Sequence, residues 1–411
     1  MKTLLLTDIP PCANLTAGIV TAQMCRFVPE GELAIFCVQN PHLSPETCPD
    51  LGHVPMRVVE KPTELGRRRI KGWNIGVLGA MAIESYKRLM VTPALVKAAV
   101  AYGREQDVTS VWATLQGQTM VRMAARVARG LGVTLRTQVW DPLGWWLDAH
   151  GVDPLNKRLD LALFDRTQKE AKFCATASWA MAQHYAERYR VPSEAIIASF
   201  AAAAARRPAP RLRNNHELAI GMAGQFYAND EWLQLVRALD YAGWQVSGRR
   251  VVLRVLGHHR PTGVPQDHLD FLGWRQQNEV IEILSETCDI SYCPYPYARR
   301  MEEVAKLSFP SKIPTYLAAG RPILFHGPSY ASPARYLEDR GAGFLCRALE
   351  PDAVYDGMLH LTEDVALYQR LALAAQKAFM TDFTLDHMGV LVCRFLGYED
   401  RAIERTGARR I

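Results

Sequence analysis

Phe309-Pro-Ser-Lys-Ile-Pro-Thr-Tyr-Leu-Ala-Ala-Gly-Arg-Pro-Ile-Leu-Phe325 decides how the rest of the chain is read. Ser311 is of the type that caps a helix, since its hydroxyl can accept from the free amides of a first turn. Pro314 still falls in that turn, where a missing N–H costs little. Tyr316, Leu317 and Ala318 carry the helix, and Gly320 stands where a left-handed residue ends it. Arg321-Pro322 then launch Ile323-Leu324-Phe325, an apolar run short enough for a central parallel strand. A helix start beside the carboxyl ends of parallel strands offers N–H groups and a positive dipole end to an anion, and Lys312 adds a full charge. An ordinary surface helix with a solvated lysine is the alternative.

Outward from this stretch the chain alternates strands and helices. Up to about residue 200 the spacing predicts strands over 3–6, 33–38, 56–59, 111–113, 135–138 and 173–177. Helices are expected over 17–27, 92–105, 118–131, 160–172 and 178–189. Such alternation is that of a doubly wound parallel sheet. Residues 199–213 are alanine-rich, then proline- and arginine-rich, and read as a linker. A second alternation follows, with strands over 218–222, 251–256, 268–272, 290–293 and 343–346 and a helical tail over 365–396. The expected division is a first Rossmann-like domain over 1–205, a linker over 206–215, a second over 216–385 and a returning helix over 386–411. Two such halves imply a cleft, and ligands in these sheets bind beyond the carboxyl ends of the strands.

Composition narrows the class. The chain is 49% hydrophobic and 22% charged, as in a soluble globular protein. No apolar run is long enough to span a bilayer, and the one after Met1 is cut at Asp8. Nine cysteines without paired spacing fit buried thiols in a reducing cytoplasm. No Cys/His cluster has zinc spacing, so no metal is expected, and His258-His259 point apart. A net charge of +6 suits an anionic substrate or a lipid surface and does not by itself indicate nucleic acid.

The wording around Lys312 resembles the donor-binding segment of GT-B glycosyltransferases, closest to the retaining family-4 type used for bacterial surface polysaccharides. The likeness extends through Phe271-Leu-Gly-Trp-Arg275, Cys288-Asp-Ile-Ser-Tyr-Cys-Pro-Tyr295 and Gly341-Ala-Gly-Phe-Leu345, covering most of 216–385. It implies two Rossmann-like domains facing across a cleft and transfer of a sugar from a nucleotide-diphosphate sugar to a glycan. On it, Gly224, Gln225, Gly273, Trp274, Arg275, Arg299, Ser311, Lys312 and Thr315 fall on the donor side, with Lys312 stabilising the leaving diphosphate without a metal. Gly18 closes the loop between the first strand and the first helix, where the family carries a glycine-rich turn beside the donor sugar and acceptor. Trp140, Asp141 and Trp145 form the acceptor side, where flat aromatic faces suit sugars and Asp141 orients or deprotonates a hydroxyl. The same aspartate could instead cap a helix above core tryptophans.

The sequence also departs from that pattern. The paired glutamates of the family fall, by register, at Leu307 and Thr315, and the basic residues expected after Gly224 are Gln225, Phe226 and Tyr227. Many members of the family carry a histidine in the neighbourhood of Asp141, and its absence here leaves the base unassigned. These departures keep open a UDP-sugar epimerase or a non-catalytic nucleotide-sugar-binding protein on the same fold. Lastly, Leu65-Gly-Arg-Arg-Arg-Ile-Lys-Gly-Trp-Asn-Ile75 mixes four cations with apolar side chains. It suggests contact with anionic lipid on the inner face of the plasma membrane, and hence a lipid-linked acceptor.

Overall fold

The computed structural model describes residues 1–64, 69–70, 73–74, 76–225 and 227–398. The chain divides into two units, one of Met1–Ile197 with the stretch from Met388 on, the other of Ala198–His387. The basic stretch 65–75 lies mostly outside the described residues.

The first unit is built on seven strands: β1 (Thr3–Thr7), β2 (Leu33–Gln39), β3 (Met56–Glu60), β4 (Ser110–Thr114), β5 (Thr134–Val139), β6 (Phe173–Thr176) and β7 (Ser193–Ala195). They lie in the order 3-2-1-4-5-6-7 and every pair is parallel. Leu5 is in register with Ile35 on one side and Trp112 on the other. Leu4, Leu5 and Leu6 are wholly buried, as continuous apolar runs must be when helices cover both faces. The last helix, Leu385–Leu396, completes this unit. The Arg136 guanidinium donates to Phe395 O at 2.8 Å, and the Phe395 ring meets Trp112 edge-on at 5.9 Å.

The second unit repeats the plan with β8 (Glu217–Ala223), β9 (Gln245–Val246), β10 (Arg249–Leu256), β11 (Leu269–Gly273), β12 (Ile290–Pro294), β13 (Ile323–His326) and β14 (Phe344–Cys346). The parallel order is 11-10-8-12-13-14, and β9 adds an antiparallel ribbon to β10. Strand order therefore reverses between β8 and β12, and their carboxyl ends form the switch point where such sheets bind ligands. The stretch read as a linker lies on this unit. Arg206 N–H donates to Ala318 O and Ala209 N–H to Gly320 O. Gly320 has φ +67°, and a Cβ there would lie 2.8 Å from Arg207 O, so glycine is required for both backbone hand and space.

Two further elements of the first unit have no local signal in the residue pattern. One is the short edge strand β7. The other is a helix over Gly76–Tyr86 that runs through a wide π turn at Lys87–Val91 into Thr92–Glu105.

Candidate functional site

The helix predicted around Lys312 forms over Lys312–Ala318, but its start differs from expectation. Ser311 is already helical, with φ −59° and ψ −14°, and its hydroxyl makes no cap bond. A capping side chain reaches the N2 and N3 amides only from an extended backbone, which Ser311 does not have. The Ile313 amide is taken up by Pro310 O at 3.0 Å, and Pro314 has no N–H. Few first-turn donors therefore remain for an anion. What the helix presents is the Lys312 side chain.

Lys312 is buried, and among the described residues no carboxylate pairs with it. Its Nζ donates to Gln225 O at 3.3 Å and stands 5.3 Å over the Tyr227 ring. Burial lowers its pKa below the ordinary 10.5. An unpaired buried ion costs several kcal/mol even after relaxation, so this arrangement is a standing electrostatic debt that a bound anion would relieve.

Local packing fixes the lysine at the end of β8. The Tyr316 hydroxyl, one turn along the helix, accepts from Ala223 N at 2.8 Å and lies 3.3 Å from Ala223 O. That clamp sets Gly224 beside Lys312, where a Cβ would come 3.6 Å from Cε. Gly224 has φ +92°, which L side chains rarely adopt. Its neighbour Gln225 contributes only the carbonyl that holds Lys312, and its side chain is exposed.

Around this point the structure gathers some of the expected donor residues and separates others. Thr315 is buried and accepts from the Gln277 side-chain amide, so a neutral pair occupies the register where the resemblance places a carboxylate. Gly273 ends β11, and Trp274 beyond it is half exposed, stacked 6.0 Å from His258 with rings 19° apart. Two flat rings side by side at the ends of β10 and β11 suit a planar partner. The Arg275 guanidinium donates to Trp274 O at 2.9 Å and so braces the loop. Arg299 is exposed in a single helical turn, and no contact joins it to Lys312 among the described residues.

Sequence reasoning missed a buried polar cluster at the same switch point. Glu231 accepts from Tyr297 N–H at 2.7 Å, and burial raises its pKa. Tyr292 OH lies 2.8 Å from His326 Nδ1, whose Nε2 faces Ala348 O at 2.9 Å. Burial lowers the His326 pKa to about 4, so it stays neutral. The buried Tyr297 hydroxyl has no hydrogen-bond partner among the described residues. None of these residues sits in a recognisable motif, because a tyrosine or histidine at a strand end reads as core.

In the first unit, Asp141 and Trp140 follow β5 and are half-buried. The helix beyond them is Leu143–Ala149 with Pro142 at its N-cap, so Asp141 is one residue too early to cap it. Trp145 is half-buried, while Trp146 is core and stacks at 3.7 Å on His150. The first histidine after Asp141 in the sequence is His150. Its Nδ1 is 2.8 Å from Trp146 O. Gly18 is not in a turn. It lies in the helix Thr16–Cys25, where a Cβ would sit 2.2 Å from Cys12 Sγ and 2.8 Å from Pro10 O, so it is explained by packing. Missed here was Lys61, after β3, buried with Asp8 at 2.9 Å and Glu64 at 3.3 Å. Glu64 also accepts from Thr119 N–H at 2.6 Å, at the start of the helix Gly117–Leu131.

All nine cysteines are buried and free. Among the described residues no cluster of three His, Cys, Asp or Glu could hold a metal ion, and no helix is long and apolar enough to cross a membrane.

Solved structures match this arrangement over nearly their whole length. Sucrose-phosphate synthase from Thermosynechococcus elongatus superposes with a TM-score of 0.64 at 11% identity, covering 99% of this chain and 100% of that one. This is the GT-B fold. The lipopolysaccharide outer core galactosyltransferase WaaB, in its apo form, gives 0.63 at 9% identity, covering 97% and 100%. A UDP-forming α,α-trehalose-phosphate synthase from Burkholderia vietnamiensis gives 0.61 at 13%, covering 97% and 100%. No family model matches the chain, and no curated protein sequence matches it. The likeness is one of GT-B architecture.

Proposed function

We propose that this GT-B protein is a glycosyltransferase that moves a sugar from a nucleotide-diphosphate sugar to an acceptor glycan. The observation that carries the reading is Lys312, a buried cation without a carboxylate partner at the carboxyl ends of β8 and β12. Breaking a glycosidic bond to a nucleoside diphosphate leaves charge on the departing phosphate. A fixed cation in a dry site stabilises that charge more than the ground state and so speeds the reaction. Lys312 is the group that meets the diphosphate, with Ser311 and the backbone at Gly224 and Gln225 alongside it. Trp274, with Arg275 bracing its loop, faces the base. Thr315, paired with Gln277, takes the ribose position. Arg299 lies at the outer edge of the site.

The finer reading is retention of configuration without a metal ion, on a bacterial surface glycan such as O-antigen, capsule or exopolysaccharide. Asp141, between Trp140 and Trp145, orients the acceptor hydroxyl. The acceptor is a lipid-linked glycan on the inner face of the plasma membrane, with the protein in the cytoplasm and peripheral to that surface. The neighbours named for sucrose-phosphate, trehalose-phosphate and galactosyl transfer support this class of chemistry. Lys312→Ala is expected to lower the rate of sugar transfer to an acceptor, read as release of the nucleoside diphosphate, by about two to three orders of magnitude, as for loss of one anion-stabilising donor. Near-normal turnover in that variant would reject the site.

A further inference from the structure

Five cation–π contacts stand among the described residues, and one of them differs in kind. In four, the cation is exposed and also pairs with a carboxylate: Arg57 with Glu105, Arg188 with Asp165, Lys306 with Glu302 and Arg340 with Asp382. The fifth is Lys312 under Tyr227, where the cation is buried and no carboxylate joins it. Tyr227 lies between β8 and the helix Asn229–Tyr241, with its neighbour Ala228 buried. Its ring is 36% exposed and stands 5.3 Å from Lys312 Nζ. The Tyr295 ring meets Tyr227 edge-on at 5.9 Å, with the planes 84° apart. Tyr295 is buried and donates its hydroxyl to Ser308 O at 3.2 Å, in the stretch that leads into the Lys312 helix. The segment before Lys312 thus anchors the brace for the ring that covers Lys312. Cys293 on β12 also lies near the lysine, and burial pushes that thiol up to about 12, so it brings no negative charge at neutral pH.

A ring face attracts a cation and adds no charge of its own. A carboxylate in that place would form a buried ion pair and compete with any anionic ligand. An ammonium also has more donors than one carbonyl and one ring use, so an N–H of Lys312 is left for an incoming oxygen. We propose that Tyr227 is the positioning residue of Lys312: its π face holds the ammonium at the end of β8, in the place a carboxylate would otherwise take, and leaves it open to a diphosphate. The inference rests on the reading of Lys312 as the partner of the diphosphate and assigns a second residue to that task. The aromatic ring, rather than its hydroxyl or its bulk, is what the role requires.

The test compares the full-length wild type with Tyr227→Phe, which keeps the face, and Tyr227→Leu, which keeps bulk without it. Tyr227 is exposed, so the three proteins should share one circular dichroism spectrum and nearly one melting point. Trace acetylation of Lys312, read by mass spectrometry against the exposed Lys306, follows its deprotonation with pH. Losing the face should lower the midpoint by about half a pH unit in Tyr227→Leu and leave it unchanged in Tyr227→Phe. The Kd for UDP, from melting-point titrations, should rise about three- to tenfold in Tyr227→Leu and keep the wild-type value in Tyr227→Phe. A Tyr227→Leu protein that matches the wild type in midpoint or in Kd overturns the proposal, because the ring would then only fill space. So does a Tyr227→Phe protein that behaves like Tyr227→Leu, since the hydroxyl would then be the group at work. The expected midpoint shift in a protein that binds no nucleoside diphosphate would support the hold of Tyr227 on Lys312 and reject the transferase reading, so the two failures are distinguishable.

Discussion

Two buried lysines stand at the carboxyl ends of parallel strands, one in each unit, and they differ in company. Lys61 follows β3 and is held between Asp8 and Glu64. Burial alone would lower its pKa, but the two carboxylates outweigh burial and hold it above the ordinary value. Lys312 has a carbonyl and an aromatic ring and no carboxylate, and burial lowers its pKa. The same side chain in similar topology is a structural tie in one case and an unmet cation in the other. The unmet one is where the proposed function seats its anion, since uncompensated burial is costly and strained arrangements persist where function needs them.

Substitution breaks the comparison most sharply at the paired lysine. Lys61→Met should destabilise the protein by about 3–5 kcal/mol, because it strands two carboxylates in a dry site. A shift in denaturation midpoint at unchanged slope would report it. The same change at Lys312 should have the opposite sign. Lys312→Met removes an unpaired cation and is expected to raise the stability of the ligand-free protein by about 1 kcal/mol, read as a higher melting point. Two substitutions of equal effect would erase the distinction.

The smallest effect is on pH dependence. A lysine whose pKa is lowered on folding binds fewer protons in the folded state, so its burial penalty eases as pH rises toward 10.5. The advantage of Lys312→Met over the wild type should therefore shrink along that approach. Lys61 has a raised pKa, so its contribution is full below 10.5 and is lost only as pH climbs beyond it. The deficit of Lys61→Met should stay constant over the range where the Lys312 effect fades. Melting curves for the three proteins across alkaline pH would check both trends.

Much of the fold was legible because apolar runs, their spacing and the Gly and Pro punctuation are local signals. The strand Ile323–His326 and the left-handed Gly320 were placed from residue type alone. What escaped was non-local. The helix Gly76–Tyr86 exposes Leu78 and buries Glu84, and only the distant partner Arg122 reveals which face is buried. The site was half legible for the same reason. Lys312 could be picked out from its neighbours, but whether a carboxylate reached it depended on the whole sheet. Ser311 does not cap because the capping preference assumes an extended backbone, and the chain turns helical one residue early. Glu231, Tyr297 and His326 come together only where β12 and β13 end beside the helix after β8.

The central claim is that Lys312 lacks a carboxylate because its partner is a diphosphate. The most direct measurement is the melting point of the wild type and of Lys312→Met over a titration with UDP. A ligand that binds only the folded state raises stability by about 2.7 kcal/mol at a hundred times its Kd. The account predicts a concentration-dependent rise in the wild type that is largely lost in Lys312→Met. The same rise in both proteins, or none in the wild type with any nucleoside diphosphate, would contradict it.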